Sequence, residues 1–209
     1  YTFTVSNDGN TEETYDLTAS SAWSTSVQNT VTVGANSQTT VSVDVTIPSD
    51  AGGQTQSVQL TATSQTDGAV SGSDSMNVGL TADYSVSVSA PSDATESSAG
   101  TKTYSFTVSN NGNTEETYDL TASSAWSTSV TNTVTVGANS QTTVNVDVTI
   151  PGDAGGETQS VSLTATSQTG GAGAGRELED GSRGAGDSVS VRGPRNPNGA
   201  GGWRSPTGA

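Results

Sequence analysis

The sequence TTVSVDVTIP (residues 39–48) carries an apolar side chain at every second position. This period of two is typical of a strand with one buried face, because successive side chains of a strand point to opposite faces. Valine and threonine also favour strands, since their branched Cβ atoms pack well on a pleated surface. No stretch shows the 3.6-residue period of a helix. The same alternation recurs around Tyr1, Phe3 and Val5; Tyr15, Leu17 and Ala19; Val31 and Val33; Val58, Leu60 and Ala62; Met76, Val78 and Leu80; and Tyr84, Val86 and Val88.

An internal repeat with an offset of 103 residues dominates the sequence. Residues 1–69 and 104–172 are identical at 61 of 69 positions, and no apolar position differs. This distribution predicts that the same core is built twice and that only solvent-facing positions have changed. The length fits an immunoglobulin-like (Ig-like) sandwich of roughly 100 residues rather than a solenoid unit of about 20–50 residues. The eight differences are Thr2/Ser105, Asp8/Asn111, Gln28/Thr131, Ser42/Asn145, Ser49/Gly152, Gln54/Glu157, Gln59/Ser162 and Asp67/Gly170.

Turn-forming residues separate the predicted strands. Asn7–Asn10 contains an Asp-Gly pair and Asn110–Asn113 an Asn-Gly pair. Both pairs tolerate positive φ, so we expect the chain to reverse sharply there. Gly34–Ser37 predicts the next reversal, and Pro48 ends the long strand because proline cannot donate a hydrogen bond to a neighbouring strand. The sequence therefore predicts an all-β chain of two tandem Ig-like antiparallel β-sandwiches, not a disordered body.

The string FTVSNDGNTEETYDLTASSAW (residues 3–23), followed by VTVGANSQTTVSVDVTIP (31–48) and TQSVQLTATS (55–64), resembles a known family. It is similar to bacterial and archaeal extracellular Ig-like repeats of the CARDB type, a cell-adhesion-related domain, and of the alpha-galactosidase-associated (NPCBM-associated) type. The resemblance covers residues 1–80 and about 84–169. It implies a sandwich fold and a role as a spacer or accessory domain in secreted hydrolases, surface-layer proteins and adhesins, and it brings no catalytic residue.

The repeat offset divides the chain into three segments. Residues 1–81 are predicted sandwich 1, residues 82–169 are predicted sandwich 2, and residues 170–209 are a Gly-, Arg- and Pro-rich tail that we expect to be mostly disordered. The last strand of sandwich 2 is degenerate. Either this sandwich lacks it, or residues 187–192 replace it after a longer loop.

In sandwich 2, Tyr84–Val88 is the predicted first strand. The sequence has no equivalent segment before Tyr1, so sandwich 1 is expected to lack its first strand. The omission would leave an open sheet edge near Tyr1–Val5. One interpretation is that the sequence is cut from a longer tandem array. The other is that a neighbouring molecule supplies the strand and builds a fibre by β-strand addition.

Composition excludes most catalytic chemistry. The chain has no histidine and no cysteine, which rules out Ser-His-Asp triads, cysteine nucleophiles, disulfides and the usual structural zinc sites. Glycoside hydrolysis by paired carboxylates would need one acid with a raised pKa in a cleft, whereas the acids lie at predicted turns or among polar residues. We predict no enzyme activity, no catalytic residue, no cofactor and no metal site.

The charge is strongly acidic and uneven. Residues 1–175 contain 17 acids and one base, Lys102, whereas residues 176–209 contain four acids and five arginines. The net charge of −15 repels phosphates and anionic lipids, so we expect no nucleic-acid binding. No run approaches the roughly 18 apolar residues of a membrane span, so we expect no membrane insertion in this segment.

Two tryptophans are the candidate ligand contacts. Trp23 and Trp126 occupy equivalent Ser-Ala-Trp-Ser motifs, and an exposed indole on a β-sandwich can stack on a sugar ring. The other interpretation is that each indole fills a core of valine and leucine. The acids around Asn7–Asn10 also suggest calcium, but they lack the ligand order of a calcium loop, and Asp8 becomes Asn111 in the second copy.

These observations predict a non-catalytic extracellular structural module that serves as a spacer or adhesion stalk of a secreted or cell-surface protein, such as a surface-layer protein. The alternatives are a carbohydrate-binding accessory module and a subunit of an extracellular filament assembled by strand addition. The expected partners are neighbouring domains of the same polypeptide and, through the open edge, other copies of the chain.

We predict that the fold requires salt, because a surface that carries almost only acids repels itself until cations screen it. Circular dichroism should show a β-sheet signal that is stronger in molar salt than at low ionic strength. Equal signals under both conditions would contradict the prediction.

Overall fold

The computed structural model describes residues 1–169 and 184–192, and these residues form strands, turns and irregular segments without a helix. The chain divides into two compact units, of which the first is Tyr1–Asp83 and the second begins at Tyr84. Each unit has a hydrophobic core of its own. The fold is therefore all-β, as predicted, with a sandwich of β-sheets in each unit.

The first unit contains seven strands: β1 (Thr2–Asn7), β2 (Glu13–Ser20), β3 (Ser24–Val27), β4 (Thr30–Val33), β5 (Ser37–Thr46), β6 (Thr55–Ser64) and β7 (Ser71–Gly79). One sheet has the order β1-β5-β3, and the other has the order β4-β2-β6-β7. All of these pairs are antiparallel.

The second unit contains nine strands among its described residues: β8 (Val86–Ser89), β9 (Ala94–Thr95), β10 (Gly100–Asn110), β11 (Glu116–Ser123), β12 (Ser127–Ser129), β13 (Thr133–Val136), β14 (Ser140–Ile150), β15 (Thr158–Ser167) and β16 (Gly184–Arg192). Its sheets have the orders β12-β14-β10-β8 and β13-β11-β15-β16-β9. The unit thus repeats the first one and adds β8 to one sheet and β9 to the other.

The alternating sequence places apolar side chains inside each sandwich. In β5, Val41 and Val43 are buried, whereas Ser42 and Asp44 between and after them are exposed. The eight positions that differ between the copies are all exposed in the first unit. In the first unit the changes are therefore restricted to solvent-facing positions, as predicted.

The loop after β1 crosses from one sheet to the other. The sequence predicted a sharp reversal here, at an Asp-Gly pair that tolerates positive φ. The chain does bend at Gly9–Thr11, but neither Asp8 nor Gly9 has a positive φ, and β1 and β2 lie in different sheets. The reversal is therefore a crossing between sheets and not a positive-φ turn. A crossing loop spans the gap between two sheets, so it needs an anchor in the interior rather than a tight left-handed turn.

The anchor is the side chain of Asn7, which is only 3% exposed. Its Nδ2 atom donates to the carbonyl oxygens of Thr11 (2.8 Å) and Val33 (2.9 Å), and its Oδ1 atom accepts a hydrogen bond from the Gly9 amide (2.9 Å). Since Val33 ends β4, this amide joins the two sheets. Asn110 makes the equivalent three bonds in the second unit.

Gly34–Ser37 forms a second crossing, from β4 to β5. Asn36 adopts a φ of 51°, in the left-handed region that asparagine tolerates better than most residues. Its amide donates to the Gly9 carbonyl at 2.9 Å, so the two crossing loops are hydrogen-bonded at one end of the sandwich. Asn139 has the same φ and the same bond, to Gly112.

The backbone of β16 takes the position that β7 holds in the first unit. Gly184–Arg192 pairs antiparallel with β15, from Thr158↔Arg192 to Thr166↔Gly184. Of the two sequence-based alternatives for the last strand, this pairing fits replacement by a segment that includes residues 187–192. The tail that was expected to be disordered thus contains one strand. The rest of it, residues 170–183 and 193–209, lies outside the described residues.

We expect Asn7→Ala to lower the free energy of unfolding of the first unit by about 1–3 kcal/mol, because it leaves the buried carbonyl of Val33 without its partner and removes the bonds to the Thr11 carbonyl and the Gly9 amide. Asn10→Ala is the matched control: Asn10 is exposed in the same loop, and its change should stay within about 0.5 kcal/mol. Urea denaturation followed by circular dichroism measures both. Equal effects of the two substitutions would contradict the anchoring role.

Candidate functional site

The first unit has an open groove between β1 and β7. Among the described strands, β1 pairs only with β5, so its other edge has no partner. A cavity of about 590 Å³ runs along this edge, and residues of β1, β6 and β7 line it, with Leu60 and Ala62 of β6 among them. This volume lies within the range of roughly 300–1,000 Å³ that is usual for ligand-binding clefts. We call this site the open groove.

The second unit shows what fills the equivalent position. There, β8 pairs antiparallel with β10, in the register Thr107↔Ser89 to Asn110↔Val86. Val86 and Val88 are each 8% exposed and belong to the core. β8 also lies against β15 and β16, and β9 continues the segment by pairing parallel with β16. The segment before β10 therefore closes the side of the second sandwich that is open in the first.

Burial differs between the copies at this position although the aromatic and aliphatic residues compared here are identical in sequence. Phe3 and Val5 are 8% and 7% exposed, whereas their counterparts Phe106 and Val108 are fully buried. Tyr15 is half-buried and lines the groove, whereas its counterpart Tyr118 has no exposed surface. The open groove thus exposes apolar surface that the second copy covers.

One end of the covered groove carries two further polar contacts to the β8 segment. The Asn111 amide donates to the Ser85 carbonyl at 2.9 Å, and Asn111 Nδ2 donates to Ser87 Oγ at 3.0 Å. Asp8 occupies the equivalent place in the open groove. Its backbone amide can make the first bond, and its carboxylate can accept a hydrogen bond from a serine hydroxyl, but it cannot donate one.

The lining of the open groove is acidic. Asp8, Glu13, Asp67 and Asp74 all line it, and no basic residue does. Two of the eight differences between the copies fall here, because Asp8 is replaced by asparagine and Asp67 by glycine in the second copy. At these two positions the first copy carries a carboxylate that the second copy lacks.

Glu96, which follows β9, contacts two residues of β10. Its carboxylate forms a salt bridge with Lys102 (3.4 Å) and accepts a hydrogen bond from the Tyr104 hydroxyl (3.1 Å). Burial and the neighbouring Glu96 carboxylate raise the pKa of Tyr104. Both partners of the salt bridge are partly exposed, so we expect it to contribute at most about 1 kcal/mol.

A buried carboxylate, that of Glu116, stands at the first residue of β11. Glu116 is only 2% exposed, and its Oε1 atom accepts hydrogen bonds from the amides of Thr117 and Thr169. The Glu116 Oε2 atom and the Tyr118 hydroxyl have no hydrogen-bond partner among the described residues. Burial, together with the charge of Glu116, raises the pKa of Tyr118 to about 12.

Both candidate tryptophans lie in the hydrophobic cores. Trp23 and Trp126 are each 6% exposed and pack with the apolar residues of their own units. Stacking on a sugar requires an exposed indole face, which neither residue offers. The structure therefore corrects the stacking interpretation, because both indoles are core residues of their sandwiches.

The acidic loops do not converge on a metal. The described part of the chain contains no group of three or more Asp, Glu, His or Cys side chains placed to hold one ion. Nor does any helix in the described residues have the length and apolar character to cross a membrane.

Comparison with known proteins gives distant structural likenesses. No family model and no curated protein matches the chain, so the resemblance to CARDB-type and NPCBM-associated repeats stays a prediction. A protein of unknown function from Porphyromonas gingivalis is 11% identical, with a TM-score of 0.34 over 90% of this chain and 87% of that chain. The Pseudomonas aeruginosa CupB2 chaperone is 10% identical, with a TM-score of 0.31 over 90% of each chain.

A third likeness is to the Salmonella enterica SafA pilin in complex with the SafB chaperone. The identity is 13% and the TM-score 0.31, over 91% of this chain and 88% of that chain. Scores this low do not indicate a shared arrangement of domains or a shared function.

We expect Tyr118 to make the second unit sensitive to alkaline pH. Its pKa is raised above the unfolded value of about 10, so its contribution to stability is complete below pH 10 and is lost as the pH rises towards about 12. Urea denaturation at pH 9 and pH 11.5 should show a smaller loss of stability for Tyr118→Phe than for the unchanged chain. Identical pH dependence of the two chains would contradict the prediction.

Proposed function

We propose that this chain is a non-catalytic structural module of a secreted or cell-surface protein, in which two Ig-like sandwiches act as a spacer or adhesion stalk. The observation that carries the proposal is the placement of the differences between the copies. Every one of the eight positions is exposed in the first unit, while the core residues within the repeated segments 1–69 and 104–172 are the same in both. A second copy with the same core lengthens the protein without changing how each domain folds. Such a duplication suits a spacer, whose function depends on its length and stiffness.

Polar surface chemistry supports the same role. Threonine and serine side chains form hydrogen bonds along and between the strands, as in the pairs Thr14 and Thr32 (2.9 Å) and Thr101 and Thr149 (3.2 Å). Cross-strand pairs of this kind stabilise a sheet without offering an activated nucleophile or base. Extracellular placement rests on the resemblance to secreted repeats and on the acidic surface, and it remains part of the proposal.

The carbohydrate-binding alternative depended on Trp23 and Trp126, and their burial removes its main support. A spacer and a strand-added filament are compatible, because both transmit force along β-sandwiches.

We expect two discrete unfolding events when single chains are pulled from both ends. The first unit, whose strands span residues 2–79, should release at most roughly 280 Å of contour length, and the second, whose strands span residues 86–192, at most roughly 380 Å, because an extended chain covers at most ~3.3–3.6 Å per residue. Asn7→Ala should lower the force of one event only and thereby assign it to the first unit. A smooth extension without discrete events would contradict a mechanical role.

A further inference from the structure

We propose that the second unit binds an alkali-metal cation, sodium or potassium, at the buried start of β11, where Thr114, Glu116 and Tyr118 each present an oxygen atom without a hydrogen-bond partner among the described residues. The inference goes beyond the spacer role and does not depend on it. It rests on the second unit alone, in which β8 covers the neighbouring edge of β10.

The three oxygen atoms are buried in the sandwich. Glu116 and Tyr118 are buried residues two positions apart in β11, so their side chains point to the same, interior face of the strand. The hydroxyl oxygen of Thr114, in the loop that leads into β11, is buried as well. Burial and, after it, the charge of Glu116 raise the pKa of Tyr118, which indicates that these two groups lie close together.

The carboxylate of Glu116 has hydrogen-bond partners on only one of its two oxygen atoms. Its Oε1 atom accepts bonds from the amides of Thr117 (3.0 Å) and Thr169 (3.2 Å), whereas Oε2 accepts none from the described residues. A buried charge without a counter-charge is costly, and buried charges in proteins are therefore paired or bound to metal ions. Lys102, the only basic residue among residues 1–175, pairs with Glu96 instead. A cation at Oε2 supplies the missing positive charge.

The set of oxygen atoms favours a monovalent ion. Carboxylate and hydroxyl oxygens are hard ligands, which do not suit copper or zinc. Calcium sites usually gather several carboxylates, but the described residues contain no group of three or more Asp, Glu, His or Cys side chains placed to hold one ion. The single carboxylate of Glu116 balances one positive charge. A water molecule can bridge the same atoms, but it leaves that charge unpaired, so water alone is the competing outcome of the test.

The first test is a titration of the full chain with potassium chloride or sodium chloride, followed by amide NMR. Tetramethylammonium chloride keeps the ionic strength constant, because this bulky cation screens charge without fitting a site of three side-chain oxygens. The signals of the Thr117 and Thr169 amides, which bond Glu116, should shift saturably. At ten times the dissociation constant, their hydrogen exchange through local opening should slow about tenfold. No saturable shift with either ion would overturn the proposal.

Three variants locate the site. Glu116→Gln keeps the size of the side chain but removes its charge, and should abolish the saturable shift. Glu115→Gln is the matched control, because it removes the same charge from the adjacent, exposed residue, and it should titrate like the unchanged chain. Thr114→Ala removes one oxygen ligand and should raise the dissociation constant severalfold, which also provides a test if Glu116→Gln does not fold. Equal dissociation constants for Thr114→Ala and Glu115→Gln would overturn the proposal.

Crystals of the full chain grown with thallium(I), which resembles potassium in size and charge, identify the occupant directly. An anomalous scattering peak in contact with Glu116 Oε2 should appear and would support the proposal, and it would revise the sequence-based prediction that the chain has no metal site. Ordinary density for a water molecule at that place, without an anomalous peak, would overturn the proposal. Peaks only at exposed acids, such as Asp119, would show non-specific binding and would also overturn it.

Discussion

The buried amide of Asn7, repeated at Asn110, is the interaction on which each sandwich depends. Two sheets that meet only through apolar side chains could slide, because dispersion and hydrophobic contacts are not directional. The side-chain amide of Asn7 makes three hydrogen bonds, two through its Nδ2 atom and one through its Oδ1 atom. These directional bonds fix the end of β1 against the end of β4. The position of the crossing loops and the alignment of the strands follow from that fixed point.

The same amide explains why part of the structure could be predicted from the sequence and part could not. Alternating valines identify strands because burial has a period of two, and β5 follows this pattern residue by residue. The Asp-Gly pair at Asp8 suggested a local turn with positive φ, because turn preferences depend only on neighbouring residues. The conformation of this loop depends instead on a long-range hydrogen bond from Asn7 to Val33. A side chain that bridges residues 26 positions apart leaves no short-range pattern.

The open groove illustrates a second limit. Phe3 and Phe106 stand in identical local sequences, yet only one is fully covered, since the covering strand comes from outside the repeated segment. The repeat offset did indicate an open edge near Tyr1–Val5, and β1 has no second neighbour among the described strands. The floor of the groove at Leu60 and Ala62 was missed, because it depends on which strand of the opposite sheet faces that edge. The burial of the two tryptophans was also ambiguous, because an indole can occupy either a core or a surface position and the local sequence does not distinguish them.

The near-identity of the two units also bears on how the chain reaches its native state. β5 and the corresponding part of β14 differ only at Ser42 and Asn145, so β1 would find nearly the same partner in either unit. The energies of correct and exchanged pairing are therefore almost equal, and what separates them is the shorter loop that closes within one unit. During synthesis from the N-terminus, the first unit also emerges before its competitor exists. The order in which the ribosome releases the strands thus protects this duplicated protein from exchanging them.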